Sequence, residues 1–238
     1  MLDIKNLVIT YETNIAVDHV NLQIESGRIT GIIGANGAGK SSLIKACAGL
    51  LPDMEGSIYF DSKELSANRF FVRKSCGYAP EDVELMPYLK GREFLQLIAS
   101  IRAIKDPETE IEFLEEMFGI TEVQEDLIIN FSHGMKQKIS IAAALIGRPE
   151  YLFFDEALNG LDALSMQRLK DHFNSLKKAG HTIILSSHII SLIRDWCDPV
   201  IVMHQGKVIQ NLSQQEIISL EEKGKKKLEQ LFVEWIRK

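Results

Sequence analysis

Residues Gly34 to Ser42 read GANGAGKSS, with Lys40 followed at once by two hydroxyl residues. The G-x-x-x-x-G-K-[ST] spacing wraps backbone amides around a polyphosphate. Gly34, Gly37 and Gly39 let the amides of the loop, Asn36, Gly37, Ala38 and Gly39 among them, converge on the anion, and a helix opening there adds its positive end. In this reading Lys40 reaches the β- and γ-phosphates, Ser41 binds Mg²⁺ and Ser42 donates to a nearer phosphate. A dinucleotide loop competes for such glycines, but it has no use for Lys-Ser directly after the last of them.

A second segment, YLFFDE, supplies the partner chemistry. Four apolar residues bury a strand whose carboxyl end presents Asp155 and Glu156, where ligands gather in open α/β sheets. Asp155 is expected to hold Mg²⁺ through water, and Glu156 to polarise or deprotonate an attacking water. A third apolar run, TIILSSH, ends at His188, placed to donate to a γ-phosphate oxygen and so to sense ATP against ADP. The other five histidines read as structural.

The stretch FSHGMKQKIS opens a helix against local preference. Ser132 is a good N-cap, but Gly134 sits in the first turn, and Lys136 and Lys138 stand where acids are favoured. The capping-box position holds Met135. Such a start is a poor stability device and a good anion seat, and broken local rules without compensation point to function.

These residues need rigid elements to position them. RITGIIG, YLFFDE and HTIILSSH have the continuous apolar character of doubly buried parallel strands, each followed by a helix. LDIKNLVITY, IAVDHVNLQIE and GSIYFD read as an antiparallel sheet. GREFLQLIASIRAI, PETEIEFLEEMF and the Ser132 helix form a helical insertion. The expected organisation is an α/β core with its antiparallel subdomain over 1–81 and 149–215, a helical arm over 82–148, and a C-terminal amphipathic helix over 216–238. Leu228, Leu231, Phe232, Trp235 and Ile236 share one face of that tail behind a lysine cluster. It caps its own chain or a dimer mate, or attaches to a membrane surface.

With 238 residues, 45% hydrophobic and 25% charged, the composition is globular, and repeats are absent. The formal charge of −6 argues against a basic nucleic-acid-binding surface. No apolar run approaches the roughly 20 residues of a spanning helix, and the first residues do not form a secretory signal, so a cytoplasmic protein is expected. Cys47, Cys76 and Cys197 have neither metal-type spacing nor an even count, and read as buried thiols.

Taken together and in this order, the phosphate loop, the FSHGMKQK helix start, the Asp155-Glu156 strand end, LNGLD behind it and His188 resemble the ATP-binding-cassette (ABC) transporter ATPases. The resemblance covers residues 1 to about 215 and implies a P-loop NTPase core with a mostly parallel sheet, an N-terminal antiparallel β subdomain and an inserted helical arm. It also implies that Tyr11 stacks on adenine with Val17 beside it, that Asp162 is the intersubunit-loop aspartate, and that Ser132 to Met135 are the signature motif. In that family two cassettes meet head to tail, so that the signature helix of one closes over ATP held by the other. Two departures stand out: Leu-Ser-Gly-Gly-Gln is Phe131-Ser132-His133-Gly134-Met135 here, and Glu81 occupies the usual glutamine position, offering magnesium an oxygen with an added charge. Both resemble single-cassette subunits of bacterial exporters. The implied partners are a transmembrane permease on a separate chain and a second cassette, identical or different, at the inner face of the cell membrane. Nucleic acid is not an expected partner. A soluble ABC ATPase acting on ribosomes or DNA, and a non-catalytic nucleotide module, are the rival readings.

Overall fold

The computed structural model describes residues 1–123 and 125–236. Its antiparallel sheet has the order β2-β1-β4-β5, built from β1 (Leu2–Tyr11), β2 (Asn14–Ile24), β4 (Glu55–Phe60) and the short β5 (Lys63–Glu64). In β1, Leu2 and Ile4 face the core. A register shift between Ile4 and Leu7, with Asn6 left-handed, then returns Leu7 and Ile9 to the same interior.

The second sheet has six strands. From one edge these are β10 (Lys207–Leu212), β9 (Val200–His204), β3 (Ile29–Gly34), β8 (Thr182–Ser186), β7 (Tyr151–Asp155) and β6 (Cys76–Ala79). All but β10 are parallel. Burial of all six residues of β3 and all five of β7 and β8 accounts for their unbroken apolar runs. Sequence reading missed β6 and the β9–β10 hairpin, which close the two edges; β6, only four residues long, carries a glycine and too short a pattern to register.

Period-2 alternation along β7 organises the core. Tyr151 and Phe153 enter the cluster shared with the antiparallel sheet and α1 (Lys40–Cys47), while Leu152 and Phe154 enter the opposite one. Asp155 therefore emerges on the α1 side. The opposite cluster joins α6 (Ala163–Lys178), α7 (Ile190–Trp196) and the arm helices α3 (Gly91–Ile101), α4 (Glu108–Phe118) and α5 (His133–Leu145). The short α2 (Arg69–Ser75) leads into β6. Within the arm, Arg92 of α3 holds the buried carboxylate of Glu115 on α4 with two hydrogen bonds. Ser132 caps α5, accepting from the Met135 amide at 3.2 Å.

The tail corrects the single helix expected over 216–238. It is two helices, α8 (Gln214–Gly224) and α9 (Leu228–Ile236), separated where Lys225 turns left-handed. Ser213 and Glu216 form a capping box that starts α8 two residues earlier than expected. Leu228 and Leu231 of α9 are buried and Phe232 and Trp235 pack on the core, so this apolar face caps its own chain. The last two positions of the expected helix, 237 and 238, lie outside the described residues. All three cysteines are free and buried, and burial pushes the Cys47 thiol up to about 12.

Candidate nucleotide-binding site

The carboxyl ends of β3, β7 and β8 converge on one cavity of about 460 Å³, lined by Asn36, Gly37, Lys40, Ser41, Glu81, Glu156 and His188. The loop after β3 turns directly into α1, whose cap, Gly39, adopts φ 98°. A Cβ on Gly39 would lie 2.2 Å from the Ala16 carbonyl oxygen, so both backbone geometry and the approach of β2 require glycine. Lys40 is buried at 6% exposure, its ammonium donating to the Gly34 carbonyl at 2.9 Å and the Ala35 carbonyl at 3.5 Å. A lysine folded back on carbonyls of its own loop is held ready to exchange those neutral acceptors for a charged phosphate.

Asp155 is 2% exposed. Its Oδ1 accepts from Ser41 Oγ at 2.9 Å and from Ser186 Oγ at 3.0 Å. Glu156 sits one residue past the strand in a left-handed conformation, φ 51°, a strained position for a non-glycine residue. The Ser186 hydroxyl accepts from its amide at 3.0 Å and steadies the turn. The Glu156 carboxylate is equally fixed: Oε2 accepts from the His188 amide at 2.9 Å, pairs with His188 Nδ1 at 3.0 Å and accepts from Asn159 at 3.4 Å. Its Oε1 lies 3.4 Å from the Lys40 ammonium. If the 3.0 Å contact is a hydrogen bond to a carboxylate acceptor, His188 donates from Nδ1, and a neutral ring in that tautomer offers Nε2 only as an acceptor. Donation to a phosphate while bound to Glu156 thus requires the imidazolium, a constraint that the sequence reading of His188 did not contain.

A second cavity, about 280 Å³, continues from the loop toward β1 and β2, with Tyr11, Asn14, Ala16 and Ser42 on its walls. Tyr11 is 46% exposed, so its ring is open to the cavity. Val17 is fully buried among the core residues, while Ala16 beside it lines the cavity. Successive strand residues face opposite sides, so one is wall and the other core.

The signature segment lies elsewhere. Ser132 and His133 are exposed and line neither cavity. The LNGLD loop crosses this helix start: a Cβ on Gly134 would meet the Gly160 carbonyl oxygen at 3.1 Å, and His133 packs against Gly160. Gly134 thus favours a close approach within the chain as well as an open backbone. Lys138 is not a free cation of an anion seat, because its ammonium pairs with Asp162 at 2.7 Å. Asp162 also caps α6, accepting from the Ser165 amide and hydroxyl, and these partners hold its carboxyl well below the usual range. Gln137, missed in the sequence, is buried and donates to the carbonyls of Pro80 at 3.2 Å and Ala157 at 2.7 Å, tying α5 to the segments that carry Glu81 and Glu156. Its neighbours on the helix face, His133, Gly134, Ser140 and Ile141, gave no local signal, because its burial depends on how α5 packs.

The donor set fits magnesium. A buried carboxylate and a hydroxyl already bonded to each other offer hard oxygen ligands, and among the described residues no group of three or more His, Cys, Asp or Glu forms a protein cage. Few protein oxygens, with water and phosphate completing the shell, is the usual magnesium pattern. Among the described residues no helix is long and apolar enough to cross a membrane.

A family model described as ABC transporter matches residues 17–159. The chain is 34% identical over 232 residues to the lantibiotic transport ATP-binding protein SrtF of Streptococcus pyogenes, covering 98% of this chain and 96% of that protein. It is also 34% identical over 203 residues to the bacitracin transport ATP-binding protein BcrA of Bacillus licheniformis, covering 85% and 66%. A solved ATP-binding subunit of an ABC transporter superposes with TM-score 0.91 at 29% identity over 99% of both chains. The fold also matches, with TM-score 0.81 at 24% identity over 90% of this chain and 99% of the other, a dimeric post-hydrolysis ATP-binding cassette bound to ADP and Pi. With the phosphate loop, strand-end acids and signature helix arranged as described, the chain belongs to the ABC transporter family as an ATP-binding subunit, an ATPase of the cassette fold.

Proposed function

We propose that this subunit binds MgATP between two cassettes and uses its hydrolysis to drive a separate membrane permease in export. The observation that carries the pairing is the separation of functions within one chain: the phosphate cavity holds Lys40, Glu156 and His188, whereas the exposed signature tip lines neither cavity. Ser132 and Gly134 can meet a triphosphate only if it belongs to a second cassette, a copy of this chain or a different one. The relatives' names, lantibiotic and bacitracin transport proteins, support export, and cargo selection falls to the permease.

In this mechanism the triphosphate takes the loop amides and Lys40, with adenine against Tyr11 and beside Ala16. Ser41 and Asp155, with Glu81 at the cavity wall, would hold magnesium. When bound, the cation neutralises phosphate charge and aligns the γ-phosphate for in-line attack. Recruitment of Lys40 to phosphate releases Glu156 Oε1 from its ion pair, and Glu156 then accepts a proton from the attacking water. His188 keeps Glu156 oriented through Oε2. Loss of the γ-phosphate removes what joins the two faces, and the cassettes separate. The test is assembly of Glu156→Gln with saturating MgATP, alone and with its permease copurified from membranes. A dimer is expected; persistent separation of the cassettes in both settings would refute the mechanism.

A further inference from the structure

Tyr78 pairs across the β6–β7 ladder with Phe153. Residues two apart on a strand share a face, so Tyr78, Phe153 and Asp155 all look toward α1, with Tyr78 diagonal to Asp155. The phenol ring packs against the apolar cluster there. Its hydroxyl is sealed from solvent with no hydrogen-bond partner among the described residues. Thr30 Oγ1, Thr182 Oγ1 and Gln137 Oε1 share that condition. The threonines, however, lie toward the amino-terminal ends of β3 and β8, away from the cavity, and Gln137 already spends its amide nitrogen on two carbonyls. Tyr78 differs in standing beside a carboxylate that the reaction uses: its hydroxyl is close enough to interact with Asp155 but makes no hydrogen bond of normal geometry to it. Phenylalanine would fill the same space without an orphaned hydroxyl, so the oxygen requires an explanation.

Asp155 supplies one. Its Oδ1 accepts from Ser41 and Ser186, and Oδ2 accepts from no described group. We propose that Tyr78 is a positioning residue for the magnesium site: when Ser41 turns its oxygen from Asp155 to the cation, the Tyr78 hydroxyl donates to the Asp155 carboxylate and fixes its orientation. The exchange leaves the carboxylate with its full set of donors and gives the orphan its partner. Because β6 ends at Ala79 and the chain continues through Pro80 into Glu81, Tyr78 would also tie cation loading to the segment that enters the arm. This inference rests on the MgATP reading above.

Wild type and Tyr78→Phe are compared by binding of a fluorescent ATP analogue without divalent cation, by Mn²⁺ titration of the nucleotide-loaded protein followed by electron paramagnetic resonance, and by thermal unfolding without ligands. Metal-free nucleotide affinity is expected to stay within about twofold, while Mn²⁺ affinity falls about tenfold, the size of one hydrogen bond to a charged group. The unliganded Tm of the variant should equal or exceed that of wild type, since an unpaired hydroxyl has been removed, whereas a packing role predicts a lower value. An unchanged Mn²⁺ midpoint overturns the proposal, whatever the Tm. If wild type itself binds the analogue no more tightly with Mn²⁺ present, the MgATP reading fails first, a result visible without the variant.

Discussion

The phosphate cradle and the signature tip are built on opposite principles. In the cradle, Lys40, Asp155 and Glu156 are each no more than 6% exposed and already bonded to groups of their own chain. At the tip, the Ser132 hydroxyl serves only the Met135 amide, and Ser132 and His133 face outward. Buried charges need partners in every state, so in the proposed mechanism the cradle exchanges Gly34, Glu156 and Asp155 contacts for ligand contacts. An exposed helix start is solvated by water and can wait for its partner. On the reading proposed above, half of this site is complete within the chain and half acts only across an interface.

The sharpest way to test that division is Glu156→Gln. Removing the proton acceptor should lower ATP turnover by about 10²-fold or more and leave nucleotide affinity within a few-fold, as measured by phosphate release and equilibrium binding. Near-normal hydrolysis would remove Glu156 from its role. Next in size, Ser132→Arg should weaken nucleotide-driven cassette pairing by about a hundredfold, comparable to losing a hydrogen-bonded charge contact at an interface, without changing nucleotide affinity of the separate chain. A parallel loss of both would mean that the tip acts within its own chain.

Nucleotide choice tests the Tyr11 wall. Base stacking is worth about 1–3 kcal/mol and is tolerant of base identity, so GTP should bind within about tenfold of ATP in a competition titration. A preference of several hundredfold would reveal a base-edge contact that the Tyr11–Ala16 wall does not supply.

Smaller still is Lys138→Met. Asp162 is about half exposed, so the pair contributes under about 1 kcal/mol, and unfolding at pH 7 should shift by no more than that. Because the Asp162 carboxyl is held below its ordinary 3.8, its contribution is present above that pH and lost only as pH falls through the lower folded value. The effect of Lys138→Met should therefore be the same at pH 7 and pH 5. His172, outside both regions, gives the mildest expected change. Burial, and then Arg148 and His181, push its pKa below the ordinary 6.5. The unfolded chain takes up the proton first, so the stability present above pH 6.5 declines as pH falls below it. Replacement by Gln should flatten that decline in urea unfolding curves at pH 7.5 and 5.5.

Legibility followed the range of the interactions. GANGAGKSS, YLFFDE and TIILSSH declared themselves because their chemistry and their burial are encoded in contiguous residues. The same locality has a limit: Val17 and Ala16 differ by one position, and which of them faces the cavity depends on how β2 packs. Lys138 looked free because its partner Asp162 lies 24 residues further along, too far for local reading.

The sequence by itself determined the phosphate loop, the acidic strand end, the abnormal helix start and the alternation of buried strands, since each is written in the spacing of neighbouring side chains. Only the tertiary structure decided that Asp155 meets Ser41, that Lys40 and His188 share Glu156, that Gln137 links α5 to both strand ends, and that Tyr78 lies unpartnered beside Asp155. Those relations cross the sheet, and they depend on strand order and register, which no short stretch of chain contains.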